Sequence, residues 1–158
     1  MEITNETILR GLRRINQFPD LFNIYEQQEE NAENYLKSTF GCSYIPEDFI
    51  QFISRIDGIR LYDMTVFSIS DNKPGVILTY DKYSTEEVVN QYFQNVNKPI
   101  KDKMLFIGAD RSGGRYAIRT NKEDNKVYLI GNSDIICTYP SFASLLYEKI
   151  EETINNNI

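Results

Sequence analysis

Residues 44–58, Tyr44-Ile45-Pro46-Glu47-Asp48-Phe49-Ile50-Gln51-Phe52-Ile53-Ser54-Arg55-Ile56-Asp57-Gly58, carry the clearest structural instruction in the chain. Pro46 suits the first turn of a helix, where its missing N–H leaves no bond unmade, and Glu47 and Asp48 sit where the helix dipole favours acids. Phe49, Phe52, Ile53 and Ile56 recur at helical spacing and predict one apolar face. Gly58 tolerates the positive φ with which helices commonly end, so the helix should stop there and a strand should follow.

Working outward toward the C-terminus, Leu61 to Ile69 is rich in β-branched and aromatic residues and reads as strand. Asp71-Asn72-Lys73-Pro74-Gly75 supplies a turn before a second apolar run, Val76-Ile77-Leu78. Ser84-Thr85-Glu86-Glu87 has the form of a capping box, and Val88, Val89, Tyr92, Phe93 and Val96 then take helical spacing toward Pro99. Three further runs, 104–107, 116–119 and 127–130, are separated by turn-forming residues and predict a meander of three antiparallel strands. A closing helix from about Ser141 should bury Phe142, Leu145, Leu146, Ile150 and Ile154.

Toward the N-terminus, Ile8, Leu9, Leu12 and Ile15 predict an amphipathic helix that Pro19 ends. From Leu21 to Phe40 the apolar residues thin out and acids gather at Glu26, Glu29, Glu30 and Glu33, as on a solvated helix or an irregular connection. The whole order predicts an α+β fold: a mainly antiparallel sheet with helices on one face and the other face free for contact. With no repeat and no linker in the pattern, residues 1–158 are expected to form one domain, a helical part over 1–43 and a core over 44–150.

The 158 residues carry 17 Lys and Arg against 23 Asp and Glu, a net charge of −6. Such a field repels phosphate backbones and favours a basic protein partner over nucleic acid. The opening residues lack the positive and apolar regions of a secretory signal, and no stretch is apolar for the roughly 18 residues a bilayer demands, so a cytoplasmic protein without a membrane partner is expected. Cys42 and Cys137 are expected as two buried free thiols.

The chain contains no His, which removes the commonest general base and the commonest zinc ligand together. Neither cysteine belongs to a Cys-x-x-Cys pattern. The run Gly108-Ala109-Asp110-Arg111-Ser112-Gly113 has the glycine spacing of a phosphate loop, but Gly114 and Arg115 follow where Lys and Ser or Thr would be needed, and then a strand rather than a helix. It reads as a strand connection in which Asp110 bonds nearby amides, with Gly58 and Gly114 both expected at positive φ. Arg111 and Arg115 remain able to hold an anion or a partner carboxylate. No catalytic residue, metal or cofactor is expected.

Residues 44–53 with Ile56-Asp57-Gly58 resemble the opening signature of the SUKH superfamily, a proline-led helix closed by a glycine just before the sheet. Phe106 to Ile118 is similar to that family's central hairpin, and Tyr139-Pro140-Ser141-Phe142 through Leu146 to its closing helix. The family usually carries Asn where this chain has Asp57. The resemblance spans about Ile45 to Ile150 and implies a compact α+β adaptor without known catalysis. Bacterial members often neutralise secreted polymorphic toxins, nucleases among them, and fungal members act as regulatory partners. An immunity protein that occludes a basic toxin domain is therefore expected, as a monomer or weak dimer, with a regulatory scaffold as the alternative. An enzyme or anion sensor built on the Gly108 to Arg115 loop is the third reading.

Acids at the sheet edges would steer a basic partner and tyrosines would anchor it. On that basis Tyr62, Asp63, Asp71, Tyr80, Asp81, Asp110, Arg111 and Tyr116 are expected to contact the partner.

Overall fold

The structure is a computed structural model and describes residues 2–69, 104–131 and 134–157. Within them, helix α1 (Glu6–Gln17) is followed by a 3-10 turn (Pro19–Leu21), strand β1 (Asn23–Glu26), helix α2 (Ala32–Phe40) and helix α3 (Glu47–Ile53). Strands β2 (Ile56–Arg60), β3 (Met64–Val66), β4 (Met104–Asp110), β5 (Arg115–Arg119), β6 (Val127–Gly131) and β7 (Asp134–Tyr139) come next, and helix α4 (Phe142–Asn155) closes the order. The seven strands form one antiparallel sheet in chain order, β1 to β7. This is the α+β architecture anticipated above. The expected strand at 76–78, the turn before it and the helix after Ser84 lie outside the described residues.

Three of the described helix starts can be traced to a capping side chain. Asn5 accepts from the amide of Ile8 to cap α1, Asn31 from Asn34 for α2, and Ser141 from Ser144 for α4; each such cap is worth about 1 kcal/mol. All three satisfy amides that a helix leaves without an internal partner. Helix α3 starts after Pro46 and buries six of its seven residues, Asp48 to Ile53. Phe49 and Phe52 both pack on Phe142 of α4, with ring centroids 5.0 and 5.4 Å apart.

Period-2 alternation sorts the strand residues between two apolar layers. Leu105, Ile107, Tyr116, Ile118, Val127 and Leu129 join the main core beneath the helices. Their neighbours Met104, Phe106, Ala117, Tyr128 and Ile130, with Phe67, form a second buried cluster. The helices cover one face as expected, but the opposite face is not the open surface foreseen: β4, β5 and β6 are apolar on both sides, and a strand with that pattern needs burial on both.

Four local expectations change. Helix α3 ends at Ile53, where the Ser54 hydroxyl turns back onto the Ile50 carbonyl, so Ile56 to Gly58 belongs to a strand. Gly58 does have positive φ, +112°, but inside β2, where a Cβ would face the backbone of Ser68 at 3.4 Å. Of the predicted strand from Leu61 to Ile69 only Met64–Val66 is strand; residues 61–63 form the turn from β2, with the Leu61 amide donating to the Met64 carbonyl. In the β4–β5 connection Gly113, not Gly114, has positive φ; a Cβ on Gly114 would instead meet the Asp110 carboxylate at 3.0 Å.

Candidate functional site

Asp48 and Asp57 show first how this chain uses a buried carboxylate. Asp48 Oδ2 accepts from the amide of Ala143 at 2.9 Å and Oδ1 from Phe49 at 2.8 Å, which pins α3 to the start of α4. Burial pushes the Asp48 carboxyl above its usual range, and the backbone N–H donors pull it back only in part. Asp57 accepts from the Ser68 hydroxyl and the Ile69 amide at 2.8 and 2.6 Å. Two acceptor oxygens serve both donors, and the segment after β3 is thereby held to β2. These acids are structural.

A different arrangement stands where the β2–β3 turn, the β4–β5 turn and the second half of α4 meet. Tyr62 is 41% exposed, and the Arg111 guanidinium lies 4.7 Å over its ring. Arg111 also donates from Nη2 to the Tyr62 carbonyl at 3.0 Å and from its backbone amide to the Asp63 carbonyl at 3.0 Å, so the two turns are joined through main chain and side chain. The Tyr62 amide donates to Thr153 Oγ1 of α4 at 2.8 Å. These bonds fix the position of an aromatic ring that nevertheless remains accessible.

Beneath it, Lys149 bridges Asp63 and Glu152 at 3.1 and 3.2 Å. Burial works to lower the Lys149 pKa, and the bonds to the two carboxylates outweigh it, so the ammonium is held above its ordinary value. Asp63 meets Lys149 through Oδ2, while its Oδ1 has no hydrogen-bond partner among the described residues. Tyr116 and Tyr139 lie deeper, ring centroids 6.0 Å apart. Burial raises both phenols, Tyr139 to about 12, with the Cys137 thiol contributing to that shift, and Tyr116 further.

Of the eight residues expected at a partner surface, the structure brings Tyr62, Asp63, Asp110 and Arg111 to this one corner. Asp110 is engaged in its own turn, accepting from Ser112 and Gly114 at 3.0 and 2.6 Å. Tyr116 does not reach the surface: at 1% exposure it belongs to the main core, because it alternates with Ala117 onto the helix-covered face. Asp71, Tyr80 and Asp81 lie outside the described residues. Lys149, Glu152 and Thr153 were not anticipated; they sit on the polar flank of the apolar α4 stripe, the only signal that could have drawn attention to them. Cys137 is exposed rather than buried; it stands on β7, the last strand of the sheet among the described residues, which sequence patterning did not reveal.

The corner offers a mixed-charge, aromatic surface. Among the described residues no cluster of acids and cysteines could hold a metal ion, and no helix is long and apolar enough to cross a membrane. Comparison with curated proteins finds no match. A family model does match: that of the SMI1 / KNR4 family (SUKH-1), over residues 30–148. The match takes in α2, α3, all the strands from β2 to β7 and the first half of α4, and with it the turns that carry Tyr62, Asp63 and Arg111. This chain belongs to the SMI1 / KNR4 (SUKH-1) family.

Proposed function

We propose that this protein is an immunity protein, not an enzyme, which binds a basic toxin domain and inactivates it by occlusion through the Tyr62–Asp63–Arg111 corner. The observation that carries the reading is the accessible Tyr62 ring held under the Arg111 guanidinium. A large aromatic surface already fixed in place loses little entropy on contact, and Tyr and Arg are the residue types that most often anchor interfaces. Asp63, half-buried beside it, adds negative charge at the rim of the corner. The chain's net charge of −6 would speed association with a nuclease whose own substrate is a polyanion. Membership of the family supports binding in place of catalysis, and the lack of His agrees with it.

The test is a titration against the toxin domain encoded beside the gene. Tyr62→Ala is expected to weaken binding at least about tenfold, the equivalent of ~1.4 kcal/mol for an interface anchor. Asp63→Lys should lower the association rate, more so at low salt. Unchanged affinity in both variants, each folded by circular dichroism, would remove this corner from the proposal; absence of any binding by the wild type would remove the immunity reading.

A further inference from the structure

At the end of β2 away from the Tyr62 corner lies a cleft of about 390 Å³, walled by the second half of α1, by β1, and by Arg55 and Ile56 where β2 begins. Ile24 and Glu26 of β1 pair with Ile59 and Ile56, two residues of the main core, so both stand on the helix-covered face of the sheet. α1 does not close over that end, and Ile24 is 45% exposed there. With Leu12, Ile15 and Ile56 it gives the cleft an aliphatic lining. The family match begins at residue 30, so the walls supplied by α1 and β1 lie outside it.

Arg55 stands at the rim. Its main chain is fixed, the amide donating to the Phe52 carbonyl and the carbonyl accepting from the Gln27 amide. Arg55 is exposed, and its guanidinium forms no ion pair with a described residue. Glu26, which also lines the cleft, is engaged in an interaction of its own.

We propose that this cleft binds a small monocarboxylate with a compact apolar body, the carboxylate on Arg55 and the body on the four aliphatic side chains. Charge and size select this class. A guanidinium presents a planar fork of N–H donors that matches a carboxylate. An apolar body laid on Leu12, Ile15, Ile24 and Ile56 takes both surfaces out of water. The Glu26 carboxylate makes a second negative charge on the ligand unfavourable, which counts against phosphate esters and dicarboxylates. An engineered cavity of ~150 Å³ holds benzene, so a cleft of about 390 Å³ has room for about a dozen non-hydrogen atoms. A ligand of that size in a cleft open at one side should dissociate with a constant on the order of a millimolar.

The probe is hydrocinnamate, added to the full chain while the isoleucine methyl signals are followed by NMR. Saturable shifts are expected at Ile24 and Ile56. Arg55→Met should weaken hydrocinnamate binding about tenfold, to the level of hydrocinnamyl alcohol, which keeps the body and lacks the charge. Ile24→Ser should weaken both probes, and benzylmalonate, which carries a second carboxylate, should bind less tightly than hydrocinnamate. Both substituted positions are exposed, so the melting temperature should stay within a few degrees of the wild type. Arg111→Ala, at the Tyr62 corner, should leave the titration unchanged. The proposal is overturned by the lack of a saturable shift into the tens of millimolar, by binding that Arg55→Met or Ile24→Ser leaves intact or that Arg111→Ala removes, and by an alcohol or dicarboxylate that binds as tightly as the monocarboxylate.

Discussion

Asp48 and Asp63 both reach helix α4, and they treat it differently. Asp48 meets the first turn from inside the core, accepting backbone amides from Ala143 and from its own neighbour Phe49. Asp63 meets the later turns at the surface through Lys149, with Tyr62 and Arg111 beside it. The buried acid joins two elements that would otherwise leave helix-start amides without acceptors in an apolar setting. The second acid is half-buried and pairs with the buried Lys149, while Tyr62 and Arg111 beside it stay exposed to another molecule. Burial and the kind of donor, rather than residue type, separate the acid that keeps the fold from the acid available for contact.

The largest effect should come from Asp48→Ala, which leaves the buried Ala143 amide without an acceptor; a loss of about 2 kcal/mol is expected, read as a fall in denaturation midpoint. If Asp48→Ala were no worse than Asp63→Ala, the contrast between the two acids would collapse. Next comes Gly58→Val, on the same structural side of the molecule, where positive φ and the nearby Ser68 backbone disfavour a side chain. It should cost about 1 kcal/mol or more by thermal unfolding.

Smaller still is the pH dependence that Asp48 imposes. Its carboxyl titrates higher in the folded protein than in the unfolded chain, so the native state holds the proton more tightly. The resulting stabilisation is complete below the ordinary carboxylate range and is lost as pH rises through the raised value. Glu151 acts in the opposite sense, because its hydrogen bond to Arg14 lowers its carboxyl and adds stability that is lost as pH falls. Subtracting the pH profile of Asp48→Asn from that of the wild type isolates the first contribution, which should decline with rising pH; a flat difference would mean that Asp48 is not strained toward its neutral form. The smallest effect on folding belongs to Arg111→Ala, about 0.5 kcal/mol or less at this exposed position, although binding should weaken markedly. A large loss of stability there would turn the corner into a second structural joint.

Helices α1, α3 and α4 were legible because their signals are local. Ile8, Leu12 and Ile15 mark α1, Pro46 and Glu47 open α3, and Ser141 with Phe142, Leu145 and Leu146 defines α4. The central meander was legible too, since runs such as Val127 to Ile130 are strongly apolar between clear turns. What escaped were α2, whose sparse apolar residues fit a solvated helix or an irregular connection equally, and the first and last strands of the described sheet. β1 spans only Asn23 to Glu26 and is largely exposed, so it has no buried alternation to betray it. β7 follows β6 closely and its exposed isoleucines break the in-out pattern. At the site, Tyr62 and Asp63 were identified by residue type and position near a turn, which geometry then placed beside Arg111. Tyr116 was misplaced because helix cover was assigned to the sheet as a whole and not to alternate residues along each strand. Lys149, with Glu152 bound to it, comes to Asp63 from 86 positions away, a distance at which no local pattern operates.

The sheet can zip up in chain order, each described strand finding its partner in the next. Helix α1 cannot complete its packing that way: Gly11 lies against Ile150, and Arg14 binds Glu151, 137 positions further on. At ribosomal speeds of roughly 5–20 residues per second, the interval between the two is on the order of ten seconds. Throughout that time the apolar stripe of Ile8 and Ile15 has no α4 to lie on, so a nascent chain should be a client for holding chaperones until its last helix emerges.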